Sequence, residues 1–206
     1  MSPRAYRLGQ RKGAAERTRS RIVAAARELL AAEGGLSGFT VEEVARRAGV
    51  ARMTVYYQFG SKVGLLEAIF DSLEVRHGVE QLGEALRRED PLDGLAEFIA
   101  AFGRFWEADR LTIRRLRGLA ALDPDFEQVW REREDRRREG LRVLVRRLVE
   151  EHGRPAPGAA EEAVDVLYVL IGFDTFDTLA AAARSFEETA ALVHQLALDS
   201  LGLEDR

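Results

Sequence analysis

The chain has 206 residues, of which 46% are hydrophobic and 32% charged, so it is long enough for one or two small domains with an apolar core. It contains no cysteine, which excludes a disulfide framework, a thiolate metal site and a cysteine nucleophile. No apolar run reaches the roughly 20 residues of a membrane-spanning helix, and the basic N-terminus lacks the apolar segment of a secretory signal. We therefore expect a cytoplasmic protein without a membrane partner.

Positive and negative charges are unevenly distributed along the chain, although the net charge is only −4. Residues 1–62 hold 12 Lys or Arg and 5 Asp or Glu, a net charge of +7, whereas the other 19 basic and 30 acidic residues give −11. A basic end on an acidic body is typical of a protein that meets phosphates at one end. A chance imbalance on a solvated surface is the alternative.

The basic part begins with a polar segment and a helix. Residues 1–14 are basic and lack apolar periodicity, so we predict a disordered basic arm, which either touches the minor groove or flanking phosphates of a nucleic acid or is a plain terminus. Residues 16–33 repeat apolar side chains every three or four positions, which predicts an amphipathic helix that ends at Gly34-Gly35. Three arginines near its start are candidates for a phosphate contact or an ion pair: Arg17, Arg19 and Arg21.

A helix-turn-helix is predicted immediately after this first helix. Thr40 and Glu43 have the spacing of a capping box at the start of a helix over 41–48. Gly49 supplies the residue that tolerates positive φ in a tight turn, and a second helix covers about 52–58. A second helix of this kind fits the major groove of duplex DNA, where its N-terminal side chains meet base edges.

The second of these helices has an outward face of polar and aromatic side chains, formed by Arg52, Met53, Thr54 and Tyr57. Guanidinium and hydroxyl groups suit phosphates and base edges better than the interior of a helical hairpin. An ordinary αα-hairpin in a helical core is the alternative interpretation of the spacing alone. Together with the basic charge of residues 1–62, the outward face favours DNA binding.

Several residues in this part stand at the spacing of a known family: Arg19, Ile22, Ala25, Ala26, Gly34, Phe39, Thr40, Val41, Val44, Ala45, Ala48, Gly49, Val50, Val55, Tyr56, Phe59, Ser61, Lys62 and Leu65. Through them, residues 18–68 resemble the DNA-binding domain of the TetR family of transcriptional regulators. The resemblance implies an N-terminal three-helix DNA-binding domain at 15–60 and a C-terminal helical ligand-binding and dimerisation domain at 61–206. Two departures, Ala51 in place of a hydroxylated cap and Val63-Gly64 in place of an acidic pair, predict a softer connection.

The resemblance also implies which side chains meet DNA. Thr40, Tyr56 and Lys62 resemble the phosphate-anchoring positions of the family, although Tyr56 is placed to point partly into the core. The predicted DNA-binding residues are Thr40, Arg52, Met53, Thr54, Tyr56, Tyr57 and Lys62.

The acidic remainder is predicted to be helical throughout, and the complete fold is therefore all-α. Asp90-Pro91 and Asp123-Pro124 each supply an aspartate cap followed by proline at the first helical position. The charged run 131–139 is interpreted as a solvated face or an ion-pair lattice rather than a nucleic-acid contact. Predicted helices begin at Ser61, Asp90, Thr112, Asp123, Ala160 and Ser185, with a bend at His77-Gly78, a loop at 152–158 and one continuous helix over 160–184.

An aromatic cluster on these helices has two interpretations, a packed core or the lining of a ligand cavity between helices. The resemblance favours a cavity, because members of the family are commonly released from DNA by a small molecule. Asp174, Thr175 and Asp177 lie among the aromatic residues, which favours a cationic or hydrogen-bonding apolar effector. The predicted ligand-binding residues are Phe102, Phe105, Trp106, Leu119, Trp130, Tyr168, Phe173, Asp174 and Phe176.

The last two predicted helices carry small residues that permit close helix packing, and we expect them to pair two copies into a homodimer. These residues are 180–183, Ala190, Ala191 and Ala197. A symmetric dimer reads a palindromic site, because the two recognition helices are related by a two-fold axis.

No catalytic, metal or cofactor site is predicted. His77, His152 and His194 are scattered, have no histidine four residues away, and are interpreted as surface residues. The basic helix-turn-helix, together with the family resemblance, implies a ligand-responsive transcriptional regulator, a repressor that binds a palindromic operator in double-stranded DNA as a homodimer. The alternatives are a helical ligand-binding or enzymatic bundle that keeps the helix-turn-helix as scaffold, and an architectural DNA binder with a solid core and no effector.

Overall fold

The computed structural model describes residues 3–76, 82–153, 160–181 and 184–203, and for residues 3–12 it describes the backbone alone. Within these ranges every regular element is an α-helix, which confirms the predicted all-α fold. The helices are α1 (Pro3–Ala31), α2 (Val41–Ala48), α3 (Arg52–Phe59), α4 (Lys62–Arg76), α5 (Leu82–Ala85), α6 (Pro91–Ala108), α7 (Arg110–Ala120), α8 (Pro124–His152), α9 (Ala160–Leu170), α10 (Phe173–Ala180) and α11 (Phe186–Leu201).

Helix α1 begins earlier than the sequence predicts. Its first residue is Pro3, so residues 3–14 are helical rather than part of the predicted disordered arm. Proline is tolerated in the first turn of a helix, and the Arg, Ala, Leu, Gln and Lys that follow it favour helix. At the other end, Arg115 of α7 donates hydrogen bonds to the carbonyl oxygens of Leu30 and Ala32. The Leu30 carbonyl, which the end of α1 leaves without a helical partner, is thereby satisfied, and the Ala32 carbonyl, which also accepts from the Gly35 amide at 3.0 Å, gains a second donor.

The helix-turn-helix has the predicted bounds within one residue. The Thr40 side chain accepts a hydrogen bond from the Glu43 amide at 3.1 Å, and Gly49 ends α2 in the left-handed region at φ 63°. Ala51 precedes α3 without a side-chain cap, as predicted. The predicted capping box is only half formed, because the Glu43 carboxylate accepts hydrogen bonds from Arg46 and Arg47 instead. The Arg46 hydrogen bond lowers the pKa of Glu43 to about 2.

The described chain divides into two compact units. Unit 1 consists of the chain up to Ser72 together with Leu111–Gln128, and unit 2 consists of Leu73–Arg110 and the chain from Val129 onward. Most of α4 and α7 therefore belongs to the same unit as the helix-turn-helix. The boundaries of the compact units differ from the predicted domain boundary between residues 60 and 61. The side chains at the centre of unit 1 are Ile22, Ala26, Leu30, Val44, Val55, Leu65, Leu66, Ile69, Ile113, Leu116 and Phe126.

Gly64 explains how α3 and α4 approach each other. A Cβ atom added at Gly64 would lie 2.1 Å from the carbonyl oxygen of Phe59, far inside van der Waals contact. The Gly64 amide also donates to the Ser61 hydroxyl at 3.0 Å, which caps the start of α4 as predicted. The sequence predicts that Gly64 weakens the start of α4. The structure shows instead that the tight packing of α4 on the end of α3 requires glycine at this position.

Replacing Gly64 by alanine should lower the free energy of unfolding by about 1–3 kcal/mol, because the new methyl group overpacks the contact with Phe59. Gly118, in α7, is a matched control, since its added Cβ would meet Leu36 at an ordinary 3.8 Å. Gly118→Ala should therefore raise the stability by up to about 1 kcal/mol through helix propensity alone. Urea unfolding of both variants measures the difference, and an equal gain for both would contradict this account of Gly64.

Unit 2 contains the aromatic part of the chain. Asp90 caps α6 by accepting from the Leu92 amide at 2.8 Å. The predicted capping box at the start of α11 is complete: Ser185 accepts from the Glu188 amide, and the Glu188 carboxylate accepts from the Ser185 amide. The predicted bend at His77-Gly78 lies outside the described residues, as does most of the predicted loop at 152–158. The side chains at the centre of unit 2 are Leu95, Phe98, Ile99, Trp106, Leu141, Leu144, Leu167, Phe176, Val193 and Ala197.

The prediction of a single helix over 160–184 is wrong, because the helix is interrupted at Ile171 and Gly172, between α9 and α10. Gly172 has extended backbone angles, with φ −67° and ψ 151°. The buried Trp106 side chain donates its indole N–H to the Ile171 carbonyl oxygen at 3.0 Å. A carbonyl group at the break thus receives a partner from α6, which compensates for helical hydrogen bonding lost there.

Candidate functional site

Helix α3 presents large side chains to solvent, as the sequence predicts. Tyr57 is 87% exposed and Met53 72% exposed. The Arg52 side chain is 57% exposed, whereas Thr54 is half-buried. An exposed methionine and tyrosine on an eight-residue helix contribute nothing to the core, so this face is available to bind a partner.

The opposite face of α3 fixes its position in unit 1. Val55 and Phe59 are buried. Arg19 of α1 donates to the Gln58 carbonyl oxygen at 2.9 Å, and its guanidinium lies 4.5 Å from the centre of the Phe59 ring. Of the three arginines that the sequence offered for phosphate or ion-pair contacts, Arg19 therefore supports the C-terminal end of α3.

Arg52 is held by two neighbours that lie on different helices. Its guanidinium pairs with Glu42 of α2 at 2.8 Å and donates to the Tyr56 hydroxyl at 3.3 Å. The Tyr56 hydrogen bond and the Glu42 charge raise the pKa of Arg52, so it remains a cation. Glu42 is not among the predicted site residues, although its place in the first turn of α2 is a local signal for an acid near the recognition helix.

The remaining predicted DNA-binding residues lie at helix starts or partly inside. Thr40 is exposed at the N-cap of α2, Lys62 is half-buried as the first residue of α4, and Tyr56 is half-buried as expected. Backbone amides at two helix N-termini and one ammonium group suit anionic oxygens. The arrangement therefore offers phosphate-binding groups beside an exposed helix face.

The predicted ligand-binding residues are partly brought together in unit 2. Trp106 lies 5.6 Å from Phe102, 4.9 Å from Phe105 and 5.6 Å from Phe173, measured between ring centres. These four rings are buried. Such spacings are those of packed aromatic pairs, so the rings are in contact with one another.

Other predicted ligand-binding residues lie elsewhere or differ in exposure. Leu119 is buried on α7 and belongs to unit 1. Trp130 and Tyr168 are half-buried. Phe176 is fully buried and stacks on Phe186, with ring centres 6.2 Å apart, and Asp174 is exposed.

The charged group inside the aromatic cluster is a cation rather than the predicted acid. Asp177 is engaged by Arg110 at 2.6 Å. Arg137 of α8, by contrast, is 7% exposed. It belongs to the charged run 131–139, where its pair with Glu134 and the pairs of Arg133 and Arg138 form the predicted ion-pair lattice. Its position was recoverable from the sequence, since Arg137 stands four residues before Leu141 on the stripe that also includes Leu144 and Leu148.

Asp90, Glu151 and His152 meet in space although the sequence gave no ligand spacing. Their ligand atoms lie within 4.8 Å of one another, and His152 is half-buried rather than on the surface as predicted. His194 is also half-buried, and His77 lies outside the described residues. Asp90 already caps α6, which gives this cluster a structural role.

In the part of the chain that the structure describes, no helix is both long and apolar enough to cross a membrane.

Comparisons with known proteins agree with the geometry of unit 1. Residues 22–69 match the family of bacterial regulatory proteins described as the tetR family. The chain is 45% identical over 58 residues to the HTH-type transcriptional regulator SrpR of Pseudomonas putida, covering 28% of this chain and 27% of that one. It is 36% identical over 84 residues to TtgR of the same species, covering 41% and 39%. The matches span less than half the length of these curated relatives.

Solved structures extend the similarity over the whole fold. NalD, the secondary repressor of the MexAB-OprM multidrug efflux pump in Pseudomonas aeruginosa, is 26% identical, with 93% of this chain and 98% of that chain covered at a TM-score of 0.70. PfmR, a TetR family transcriptional regulator from Thermus thermophilus, is 26% identical, with 90% and 100% covered at a TM-score of 0.65. The fold and the relatives are those of regulators rather than enzymes.

Proposed function

This chain belongs to the TetR family of transcriptional regulators, and from that membership we propose that it represses transcription by binding a palindromic operator as a homodimer. The exposed face of α3 is the observation that carries the proposal. Arg52, Met53 and Tyr57 project from a helix whose other face is fixed in the core by Val55 and Phe59. A helix held in this way enters the major groove as a rigid body.

The proposed contacts divide into base readout and phosphate anchoring. Arg52 is suited to a guanine edge, because its planar guanidinium donates two parallel hydrogen bonds. Lys62 and the α2 N-terminus at Thr40 are suited to phosphates, and Tyr57 to either. The same exposure counts against the scaffold alternative, since a helix-turn-helix kept only for packing has no use for a tyrosine that is 87% exposed.

We place the dimer interface on α9 and α11. Of the small residues expected there, Ala181 and Ala191 are exposed, Ala190 is half-buried, Ala180 and Ala197 are buried within the protomer, and residues 182–183 lie outside the described part of the chain. Exposed apolar side chains instead occur at Val166 and Val169 of α9 and at Leu196 of α11, which are 43%, 64% and 39% exposed. Apolar surface of this kind supports pairing with the same surface on a second copy.

Release by a small molecule is the second part of the proposal. Helix α4 runs from Lys62, at the proposed phosphate site, to Arg76, and its last residues belong to unit 2. A ligand bound in unit 2 that moves α4 changes the position of Lys62 and of α3. The ligand has this effect only if it binds the DNA-incompetent state more tightly than the DNA-bound state.

Salt-dependent binding to duplex DNA tests the proposal. A dimer that neutralises six or more phosphates should lose affinity about a thousandfold or more between roughly 50 and 200 mM salt. Fluorescence anisotropy of a labelled random-sequence duplex measures this slope. A protein that does not bind the duplex at the lowest salt concentration is not a DNA-binding regulator.

A further inference from the structure

A buried cation stands among the aromatic side chains of unit 2. The Arg137 side chain is only 5% exposed. Its guanidinium carbon lies 4.6 Å from the ring centre of Tyr168, 5.7 Å from that of Trp106 and 5.8 Å from that of Phe102. Three aromatic faces within 6 Å stabilise a guanidinium through cation–π attraction, and this stabilisation is strongest where water is excluded. The aromatic rings therefore stabilise the Arg137 guanidinium at this position, whichever anion pairs with it.

The anion that accompanies Arg137 is more exposed than the cation. Glu134 accepts two hydrogen bonds from Arg137, at 2.7 and 3.1 Å, while its own side chain is 20% exposed. The Tyr168 hydroxyl donates to the same carboxylate at 2.6 Å. Burial and the Glu134 charge raise the pKa of Tyr168 to about 12, so Tyr168 remains a hydrogen-bond donor at neutral pH.

Two neighbouring ion pairs on α8 repeat this arrangement. Arg133, with a side chain that is 8% exposed, faces Glu74 of α4 at 3.5 Å, and the Glu74 side chain is 27% exposed. Arg138 pairs with Asp165 at 2.7 Å, and the two side chains are 34% and 63% exposed. In these pairs the cation is the more buried partner, whereas Arg136, which also pairs with Glu74 at 3.6 Å, is 61% exposed and lies on the outer side of the run. The interior side of this part of α8 therefore presents positive charge, and the acids that balance it lie nearer to water.

From this arrangement we infer that the effector of the proposed repressor is an apolar anion whose carboxylate takes the place of Glu134 on Arg137. The inference rests on the proposed function. The apolar body of the effector would lie against Trp106, Phe102 and Tyr168, and Tyr168 would donate to its carboxylate. The exchange preserves the charge balance around Arg137, because one carboxylate replaces another while Glu134 turns to solvent.

A cationic effector is disfavoured by the same contacts. It would have to compete with Arg137 for Glu134, and the buried guanidinium would be left without its bidentate anion. The acids first considered as partners for a cation do not offer a better site, since Asp174 is exposed and Asp177 is engaged by Arg110. The site is therefore expected to bind an anionic effector more tightly than a cationic effector of the same size.

The position of Arg137 also connects the site to α4. Arg133 lies one helical turn before Arg137 on α8 and faces Glu74. The anion site on Arg137 is thus one turn of α8 away from an ion pair to α4, the helix that begins at Lys62.

Tryptophan fluorescence tests this inference with decanoate, decanol and decylamine, which share one chain length and differ in charge. The protein has two tryptophans, so Trp130→Phe leaves Trp106 as the only reporter. Decanoate should change the Trp106 emission with saturation and raise the melting temperature, and it should bind more tightly than decanol or decylamine. Arg137→Gln should weaken decanoate binding about thirtyfold or more. Arg142→Gln, which removes an exposed pair with Glu139 and Glu161, should not change it.

A second variant covers the case in which Arg137→Gln fails to fold. Glu134→Gln removes the competing carboxylate, so decanoate should bind this variant more tightly than the parent, and unchanged or weaker binding overturns the inference. Equal or tighter binding of decylamine, or undiminished decanoate binding by a folded Arg137→Gln protein, also overturns it. Anisotropy of duplex DNA without any ligand is recorded in parallel. A protein that binds decanoate but no DNA contradicts the proposed function, whereas one that binds DNA but no decanoate contradicts this inference alone.

Discussion

Replacing Arg52 by alanine is expected to weaken binding to the operator roughly 5- to 150-fold and to relax the sequence preference at one position of each half-site. The reason is the loss of a bidentate donor that reads a base edge. Lys62→Ala should instead weaken binding to all duplexes. It should also reduce the magnitude of the slope of log affinity against log salt concentration by about 1 for each protomer. Tyr57→Ala should also weaken binding to all sequences, since it removes the most exposed side chain of the α3 face.

A charge-matched control distinguishes these effects from a general loss of positive charge. Arg104, on α6, is 61% exposed in its side chain and pairs with Glu97 at 3.1 Å, and Arg104→Ala should leave DNA affinity unchanged. Anisotropy titrations against an operator selected from a random library, and against a scrambled duplex, measure both affinity and preference. If Arg52→Ala, Tyr57→Ala and Lys62→Ala all bind like the parent, the assigned contacts are wrong.

Replacing Val169 by glutamate is expected to convert the proposed dimer into a monomer and to lower operator affinity about a hundredfold or more. Val169 is 64% exposed, so a charge there is tolerated in the folded protomer, but it is costly when buried against a second copy. A monomer has one recognition helix and loses the gain in avidity that comes from two linked heads.

Val75→Glu is the matched control for the dimer, because it makes the same change at a valine of α4 that is 71% exposed. Light scattering at micromolar concentration should show a dimer for this control and a monomer for Val169→Glu. A dimeric Val169→Glu protein that keeps parental affinity would place the interface away from α9.

Features that are determined by a few neighbouring residues were predictable from the sequence. Thr40 and Gly49 mark the start and end of α2 by local chemistry, an oxygen that caps an amide and a residue that tolerates positive φ. The exposed face of α3 followed from the same local pattern. These features are recoverable because their causes lie within one or two turns of helix.

Features that depend on distant residues were missed. The break between α9 and α10 lies in an apolar stretch with helical periodicity, and the indole that takes up the Ile171 carbonyl comes from Trp106, 65 residues away. The spacing of Arg137 from Leu141 indicates that it faces inward, but only the fold shows that aromatic rings surround it. Gly64 was interpreted through helix propensity, whereas the carbonyl group of Phe59 determines its role.

The pair between Arg52 and Glu42 has a consequence for discrimination among DNA sequences. Before the protein meets DNA, the guanidinium already has a carboxylate within 2.8 Å. A base edge gains Arg52 only by outcompeting that internal anion, so a guanine with two acceptors succeeds where a single weak acceptor fails. Glu42 on α2 thus competes with DNA for Arg52 and sets the weakest base contact that the proposed repressor accepts.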